Sequence, residues 1–276
     1  MKFRTPNFQH REKQSFGAML AAVLLLGGCA GVPADPVDRE AYYEANDSLE
    51  PLNRSIFEFN LGLDRVLLKP VATVYRDALP SVLRNGVRNF LNQIRTPVIL
   101  ANNLLQGDWA GGQVTIARFA TNTLIGFGGL GDPASDMGAE FRDEDFGQTL
   151  AVWNASEGPF LMLPVFGPSN PRDVVGLVVD FLIDPVGIWA SNTNNDGMTY
   201  TRTLLRGIDK RSRNIKTLDD LEKSSLDFYA TIRSLYRQIR EDSIRNGESQ
   251  DTIPSPSLSL EDDDDVVLGP LAELIR

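Results

Sequence analysis

Cys29 is the residue best placed for chemistry. It closes Leu26-Gly27-Gly28-Cys29 at the end of an apolar run from Ala18, behind a start that carries Lys2, Arg4, Arg11 and Lys13. A basic head, a short apolar stretch and small residues before a cysteine form a secretory signal, residues 1–28, cut ahead of the cysteine. The run is too short for a settled transmembrane span. The freed Cys29 can carry acyl chains, and two or more of them anchor durably, at about 0.8 kcal/mol per buried CH₂. A buried apolar segment ending in a structural cysteine is the weaker, competing reading.

Other groupings have a chemical form without the partners that form requires. Gly126-Phe127-Gly128-Gly129-Leu130-Gly131 matches G-x-G-x-x-G, but the dinucleotide version needs a strand before it and a phosphate-facing helix after it. Here a helical pattern precedes and Asp132-Pro133 follows, which leaves bending, or close approach of backbone to backbone, as the role of these glycines. Asn192, Asn194, Asp196 and Gly197 echo a calcium loop, yet Thr203 stands where the glutamate is needed, so the stretch reads as a polar turn. Asp143, Glu144 and Asp145 could supply an acid/base pair, but adjacent carboxylates on a loop with no rigid opposing group read as solvated charge.

Composition closes further routes. The 276 residues hold one cysteine and one histidine, His10, which lies in the segment to be removed. A mature chain without histidine cannot build a Ser-His-Asp triad and lacks the commonest metal ligand. The formal charge is -10, and about -13 once the segment ahead of Cys29 is gone. That balance argues against a nucleic-acid partner and leaves membrane contact to apolar groups.

The elements that position these residues are mainly helices. Residues 29–46 form a polar, acidic, lipidated tether. Apolar residues at helical spacing predict a helix over Ile56 to Leu68, begun near Pro51 or Asn53 and stopped by Pro70, and another over Ser81 to Arg95, broken at Thr96-Pro97. A short helix then runs to Gly107, and Asp108 caps one from Trp109 to about Leu124. Pro159, Pro164, Pro168 and Pro171 punctuate an apolar loop or broken hairpin. Pro171 opens a helix capped by Ser169 or Asn170, apolar nearly all round, that is either central core or an element lying in a membrane plane. A last long helix spans Leu218 to Arg245, with Arg233, Arg237, Arg240 and Arg245 on its polar side. Residues 247–276 form an acidic low-complexity tail that repels itself and reads as disordered.

Several strings in fixed order then resemble the MlaA/VacJ family of bacterial outer-membrane lipoproteins: D-S-L-E-P-L-N-R-S-I-F-E-F-N, K-P-V-A-T-V-Y-R-D-A-L-P, N-N-L-L-Q-G-D, A-R-F-A-T-N-T-L-I-G-F-G-G-L-G-D, F-G-Q-T-L-A-V-W and G-P-F-L-M-L-P-V-F-G-P-S-N-P-R-D. S-S-L-D-F-Y-A-T-I-R-S-L-Y looks like that family's C-terminal helix. The resemblance implies an all-α, ring-like assembly of short amphipathic helices with a central polar channel over residues 47–246, flanked by disordered termini. It also implies a protein in the periplasmic leaflet of the outer membrane that removes mislocalised phospholipids from the outer leaflet. Its expected partners are phospholipid, a trimeric outer-membrane porin and a periplasmic phospholipid carrier protein, with no cofactor and no catalysis.

By the same resemblance, Ile56, Phe57, Phe59, Asn60, Leu63 and Leu67 belong to a membrane-lying helix, and Gly126, Gly128, Gly129 and Gly131 to a flexible loop beside the channel. Arg84, Arg88, Asn92 and Asn103 are expected to line the channel, and Trp109 and Trp153 to sit at an interface or in the core. Asn154 departs from the family, whose members often have glycine there. Ala30 after the lipid-bearing cysteine carries no inner-membrane retention signal. The competing class is a structural lipoprotein scaffold associated with porins or cell wall; a carboxylate-based lipid hydrolase is weaker still.

Overall fold

The computed structural model describes residues 45–246. The signal peptide, Cys29, nearly all of the tether and the acidic tail lie outside the described residues. Helix α1, Glu50–Leu63, has Pro51 in its first turn. It runs on through a π-helical turn, Asp64–Leu68, into α2, Lys69–Ala78, so that Pro70 opens a segment rather than stopping one. The Lys69 amide donates to the Asp64 carbonyl, five residues back. That wider turn gives room to a ring that would otherwise crowd the preceding carbonyl.

Helix α3, Ser81–Gln106, passes unbroken through Pro97, against the break expected at Thr96-Pro97. Interior proline costs about 3 kcal/mol, but Val98 and Ile99 beside it are fully packed. Carbonyls near it also find side-chain donors: Leu91 accepts from Arg206 Nη2 at 2.9 Å and Asn92 from Thr96 Oγ1 at 3.4 Å. The end of α3 and the start of α4, Trp109–Leu124, match expectation. Gly107 closes α3 in the left-handed region, and the Asp108 carboxylate accepts from the Gly111 amide at 2.8 Å.

A short α5, Pro133–Asp136, and α6, Phe146–Val152, lead to an antiparallel hairpin. In it β1, Leu161–Leu163, pairs with β2, Gly167–Ser169, Leu161 opposite Ser169. Helix α7, Pro171–Ile183, is capped by Asn170, which accepts from the Asp173 amide at 2.8 Å. Then come α8, Pro185–Asn192, and α9, Asp196–Arg213. The single C-terminal helix expected is two, α10, Ile215–Ser224, and α11, Phe228–Ile244. Ser225 is extended, and Asp227 caps α11 by accepting from the Ala230 amide at 3.1 Å.

After α6, Asn154 sits at φ 62°, where a side chain costs most residues about 1–2 kcal/mol and glycine nothing. Asn154→Gly is expected to raise stability by up to about 1 kcal/mol and Asn154→Val to lower it by more than that, read as shifts in thermal unfolding in detergent.

Neighbour relations close into a circuit. Helix α1 packs on β1, β2 on α11, α11 on α6, α6 on α7, α7 on α8, α8 on α9 and α9 on α2, which returns through the π-turn to α1. Helix α3 crosses this circuit, touching α6, α8 and α9, with α4 alongside it. A hydrophobic cluster gathers Phe57, Phe160, Met162, Tyr229, Ile232 and Tyr236, and Phe146 meets Trp153 edge-on apart from it.

Elsewhere polarity is inverted. Among the described residues, the buried set holds more polar and charged side chains than apolar ones, whereas Val66, Leu124 and Phe127 are more than 80% exposed. On α7, Val175, Leu177, Val178, Phe181 and Leu182 are exposed while Asp180 is buried. That much apolar surface is costly in water, at about 25 cal/mol per Å², and marks an exterior suited to an apolar solvent. No single described helix is long and apolar enough to cross a membrane; α7 and α8 together pass on length and composition, bent by 54°.

Candidate functional site

The interior is assembled from ion pairs that join distant parts of the chain. Arg240 of α11 grips Asp145, the cap of α6, at 2.6 and 2.8 Å, and reaches Asp173 of α7 at 2.7 and 2.9 Å. Arg95 of α3 lies 2.7 Å from Asp143 and 3.9 Å from Asp180. Asn102 donates to Asp180 at 3.0 Å and accepts from Thr149 at 2.8 Å, and Gln106 donates to Glu144 at 3.0 Å. Burial pushes the Asp180 carboxyl up to about 6, against the pull of Asn102 and Arg95.

Two expectations are corrected here. The run Asp143 to Asp145 is not solvated charge: Glu144 is buried, and rigid opposing groups, Arg95 and Arg240, are supplied from elsewhere in the chain. Arg240, expected on the polar side of the last helix, faces inward for the same reason.

Helix α9 adds a cationic stripe that sequence reasoning missed. Arg202 pairs with Asp184, the cap of α8, Arg206 holds the Leu91 carbonyl, and Arg213 lies 3.1 Å from Asp209. Arg202, Arg206 and Lys210 recur every four residues, a spacing that puts them on one helix face. Burial pushes Arg206 down to about 10, with Arg95 adding to the effect. Burial likewise pushes Lys210 down to about 7, reinforced by Arg213, Arg206 and Arg95 and opposed by Asp143. The repeat was the signal that could have found this face.

Of the channel residues expected from α3, Arg84 and Arg88 are half-buried, and Arg88 donates to Asn85 of the same helix at 3.2 Å. Asn92 lines a crevice of about 20 Å³ with Gln93, Arg118, Asn122 and Asp132. Asn103 is turned away from them, buried against α4, where it donates to Thr115 at 3.1 Å.

The α1 group divides by face. Phe57 stacks edge-on with Phe228 and Tyr229, and Ile56 packs against the same cluster. Asn60 clamps the hairpin, donating to the Leu163 carbonyl at 2.9 Å and accepting from the Val165 amide at 2.8 Å. Phe59 and Leu67 point outward, with Leu63 half-buried between them. Trp109 and Trp153 are both exposed, the latter donating to the Leu105 carbonyl.

Between α4 and α5, the glycine loop brings backbone against backbone. A Cβ at Gly126 would lie 2.6 Å from the Asn122 and Gly131 carbonyls, and one at Gly129 would meet the Gln93 side chain. Gly128 takes a positive φ in open space, and the Gly131 amide closes the loop on the Gly126 carbonyl at 2.8 Å. Asp132 then accepts from Arg118 at 2.8 and 2.9 Å and from Asn122 at 2.8 Å, which ties the loop's exit to α4. Among the described residues no group of His, Cys, Asp and Glu is arranged to hold a metal ion.

Comparison with known proteins agrees with this architecture. The family model described as MlaA lipoprotein matches residues 45–243. The intermembrane phospholipid transport system lipoprotein MlaA of Escherichia coli K12 is 32% identical over 91% of this chain and 97% of its own length. The protein of that name in Haemophilus influenzae is 29% identical over 90% and 98%. A solved structure, from work on the structural basis for maintenance of bacterial outer membrane lipid asymmetry, superposes with a TM-score of 0.64 at 34% identity, covering 72% of this chain and 98% of that one. With the model matched across almost the whole described region and relatives aligned nearly end to end, the chain belongs to the MlaA lipoprotein family.

Proposed function

We propose that this chain is an outer-membrane lipoprotein that takes phospholipid from the outer leaflet, where it does not belong, and passes it toward a periplasmic carrier. The carrying observation is the inverted polarity: apolar side chains outside, charged and amide side chains inside. A phospholipid headgroup in an apolar medium costs several kcal/mol or more unless polar groups meet it, while its tails must avoid water. A circuit of helices with an acyl-facing exterior and a polar interior lowers that cost without making or breaking a bond.

In this reading Cys29 carries the acyl anchor in the periplasmic leaflet, with Phe59 and Leu63 of α1 and Leu67 of the π-turn at the lipid boundary. Arg84, Arg88 and Asn92 border the polar route, and the loop of Gly126, Gly128, Gly129 and Gly131 flanks it. Family membership and the related transport lipoproteins support an association with the outer membrane and with phospholipid. A trimeric porin would hold the ring in place, and direction would come from the carrier or from the lipid gradient.

The test is phospholipid exposed in the outer leaflet of intact cells lacking this gene. Deletion is expected to raise exposure, the wild-type chain to restore it, and Cys29→Ala to fail. Unchanged exposure in every strain would reject lipid removal and favour a scaffold at porins or cell wall.

A further inference from the structure

We propose that the cleft where the π-turn meets α2 binds the headgroup of a zwitterionic phospholipid, with its phosphate on Arg65 and Lys69 and its ammonium on Glu222 and Asp219 of α10. The inference rests on the reading of the exterior as facing acyl chains, and it names a lipid class recognised there. Arg65, Lys69, Pro70 and Thr73 line an open cleft of about 420 Å³, a volume within the range of small-molecule sites, about 300–1,000 Å³. Its cations are already tied to α10: Arg65 pairs with Glu222, and Lys69 donates to both Asp219 oxygens at 2.8 Å. The Thr73 hydroxyl donates to the Lys69 carbonyl at 2.8 Å, which leaves its oxygen to accept.

Both signs of charge therefore border the cleft in equal number. Arg211, 3.8 Å from Asp219, is itself balanced by Asp64 at 2.7 and 2.9 Å. A bare anion placed in the cleft meets carboxylates as well as cations. A zwitterion instead extends each pair into an alternating group: its phosphate joins the guanidinium and the lysine, and its ammonium joins the carboxylates and the Thr73 oxygen. The pairs need not break, and they are open to such additions, since the Arg65 and Glu222 side chains are 56% and 37% exposed. The flank meets the remaining need of an amphiphile. Val66, Val71 and Val74 each follow a cleft residue by one position and are exposed, an apolar border for acyl chains beside a polar hold for the headgroup.

The experiment uses the protein purified in neutral detergent, titrated with dihexanoyl phosphatidylethanolamine and, separately, with dihexanoyl phosphatidylglycerol. The wild type is expected to bind the first about fivefold more tightly, as charge complementarity requires. Asp219→Asn/Glu222→Gln removes the carboxylates and keeps the cations, so the order should invert, with phosphatidylglycerol gaining about fivefold. A folding defect would weaken both lipids together. Where the pair does not fold, Glu222→Gln alone, at an exposed position, should abolish the preference for phosphatidylethanolamine.

Competition by free phosphoethanolamine would show that the headgroup alone is read; the same preference without such competition would show that the chains along Val66 and Val74 are needed as well. Equal binding of the two lipids by the wild type, or a preference that removal of the carboxylates leaves unchanged, would overturn the proposal. In gene-deleted cells, a wild-type chain that fails to lower outer-leaflet phospholipid rejects the transport reading. A wild-type chain that succeeds there, yet binds the two lipids alike, rejects only this site.

Discussion

Arg240→Met is expected to cost about 3–5 kcal/mol of stability, the range for removing one member of a buried ion pair and leaving its partners charged. Two carboxylates depend on this guanidinium, Asp145 at 2.6 and 2.8 Å and Asp173 at 2.7 and 2.9 Å. Each begins a helix: Asp145 accepts from the Gln148 amide at the start of α6, and Asp173 lies in the first turn of α7. Without Arg240, Asp145 loses its ion pair and Asp173 keeps only Arg172, at 3.2 Å, at the joint of α6, α7 and α11.

The loss should depend on pH in a definite direction. Burial alone would raise the Asp145 carboxyl, but the Arg240 hydrogen bonds and charge, with the Gln148 amide, hold it well below the usual carboxylate range. A depressed native value stabilises the fold above the unfolded value of about 3.9, and this contribution falls away as pH drops below it. The methionine variant lacks the depression, so its deficit should be full at pH 7 and narrow as pH falls through 4. Denaturant unfolding in micelles at both values checks it. A deficit under 1 kcal/mol at pH 7 would mean the triad is not holding these helices.

The second large effect is expected at Gly176, where α7 crosses α6. A Cβ there would lie 2.3 Å from the Gly147 nitrogen and 2.7 Å from its Cα. Both are backbone atoms, so no side chain can turn aside and the helices must separate. Helix propensity favours Gly176→Ala by about 1 kcal/mol, whereas overpacking costs about 1–3 kcal/mol and more when backbone must shift. The second effect decides, and a net loss of about 2–3 kcal/mol is expected.

Separation of α6 from α7 also loosens Arg240, since a Cβ at Gly147 would sit 2.5 Å from its Nη2. Gly176→Ala and Arg240→Met should therefore be less than additive, with a coupling above about 0.5 kcal/mol in a double-mutant cycle. Strict additivity, or a stabilised Gly176→Ala, would contradict the crossing described above.

How much of this was legible follows from the range of the forces involved. Gly107 with Asp108, Asn170 before Pro171 and the prolines around the hairpin act within a few residues, and those boundaries stand where local chemistry places them. Pro97 misleads because packing at Val98 and Ile99 outweighs a local penalty, and Pro70 because a π-turn accommodates it. The split at Ser225 to Asp227 carries a capping aspartate that a continuous apolar stripe overshadows.

The site was harder to see. Asp145 and Arg240 are separated by 95 positions, and Arg95 and Asp143 by 48. Nothing local distinguishes a carboxylate awaiting a distant guanidinium from one awaiting water. The face of Arg202, Arg206 and Lys210 is readable as a four-residue repeat, but only after α9 is recognised as a helix. The helix's surroundings come from α2, α3, α8 and α10 packing around it. Asn103 shows the limit of periodicity: it shares α3 with Arg84 and Arg88, yet its hydrogen bond to Thr115 commits it to α4.

An interior of ion pairs inside an apolar exterior also governs how the fold answers to temperature. The heat capacity of unfolding rises with apolar surface newly given to water and falls with polar surface, netting about 12–15 cal/mol/K per residue in water-soluble domains. In the proposed membrane setting the apolar side chains already face acyl chains, or detergent once purified, and opening the ring hydrates guanidinium, carboxylate and amide groups. The first contribution is therefore small and the second large. The stability curve of such a chain is a shallow arch, with little of its margin lost in the cold.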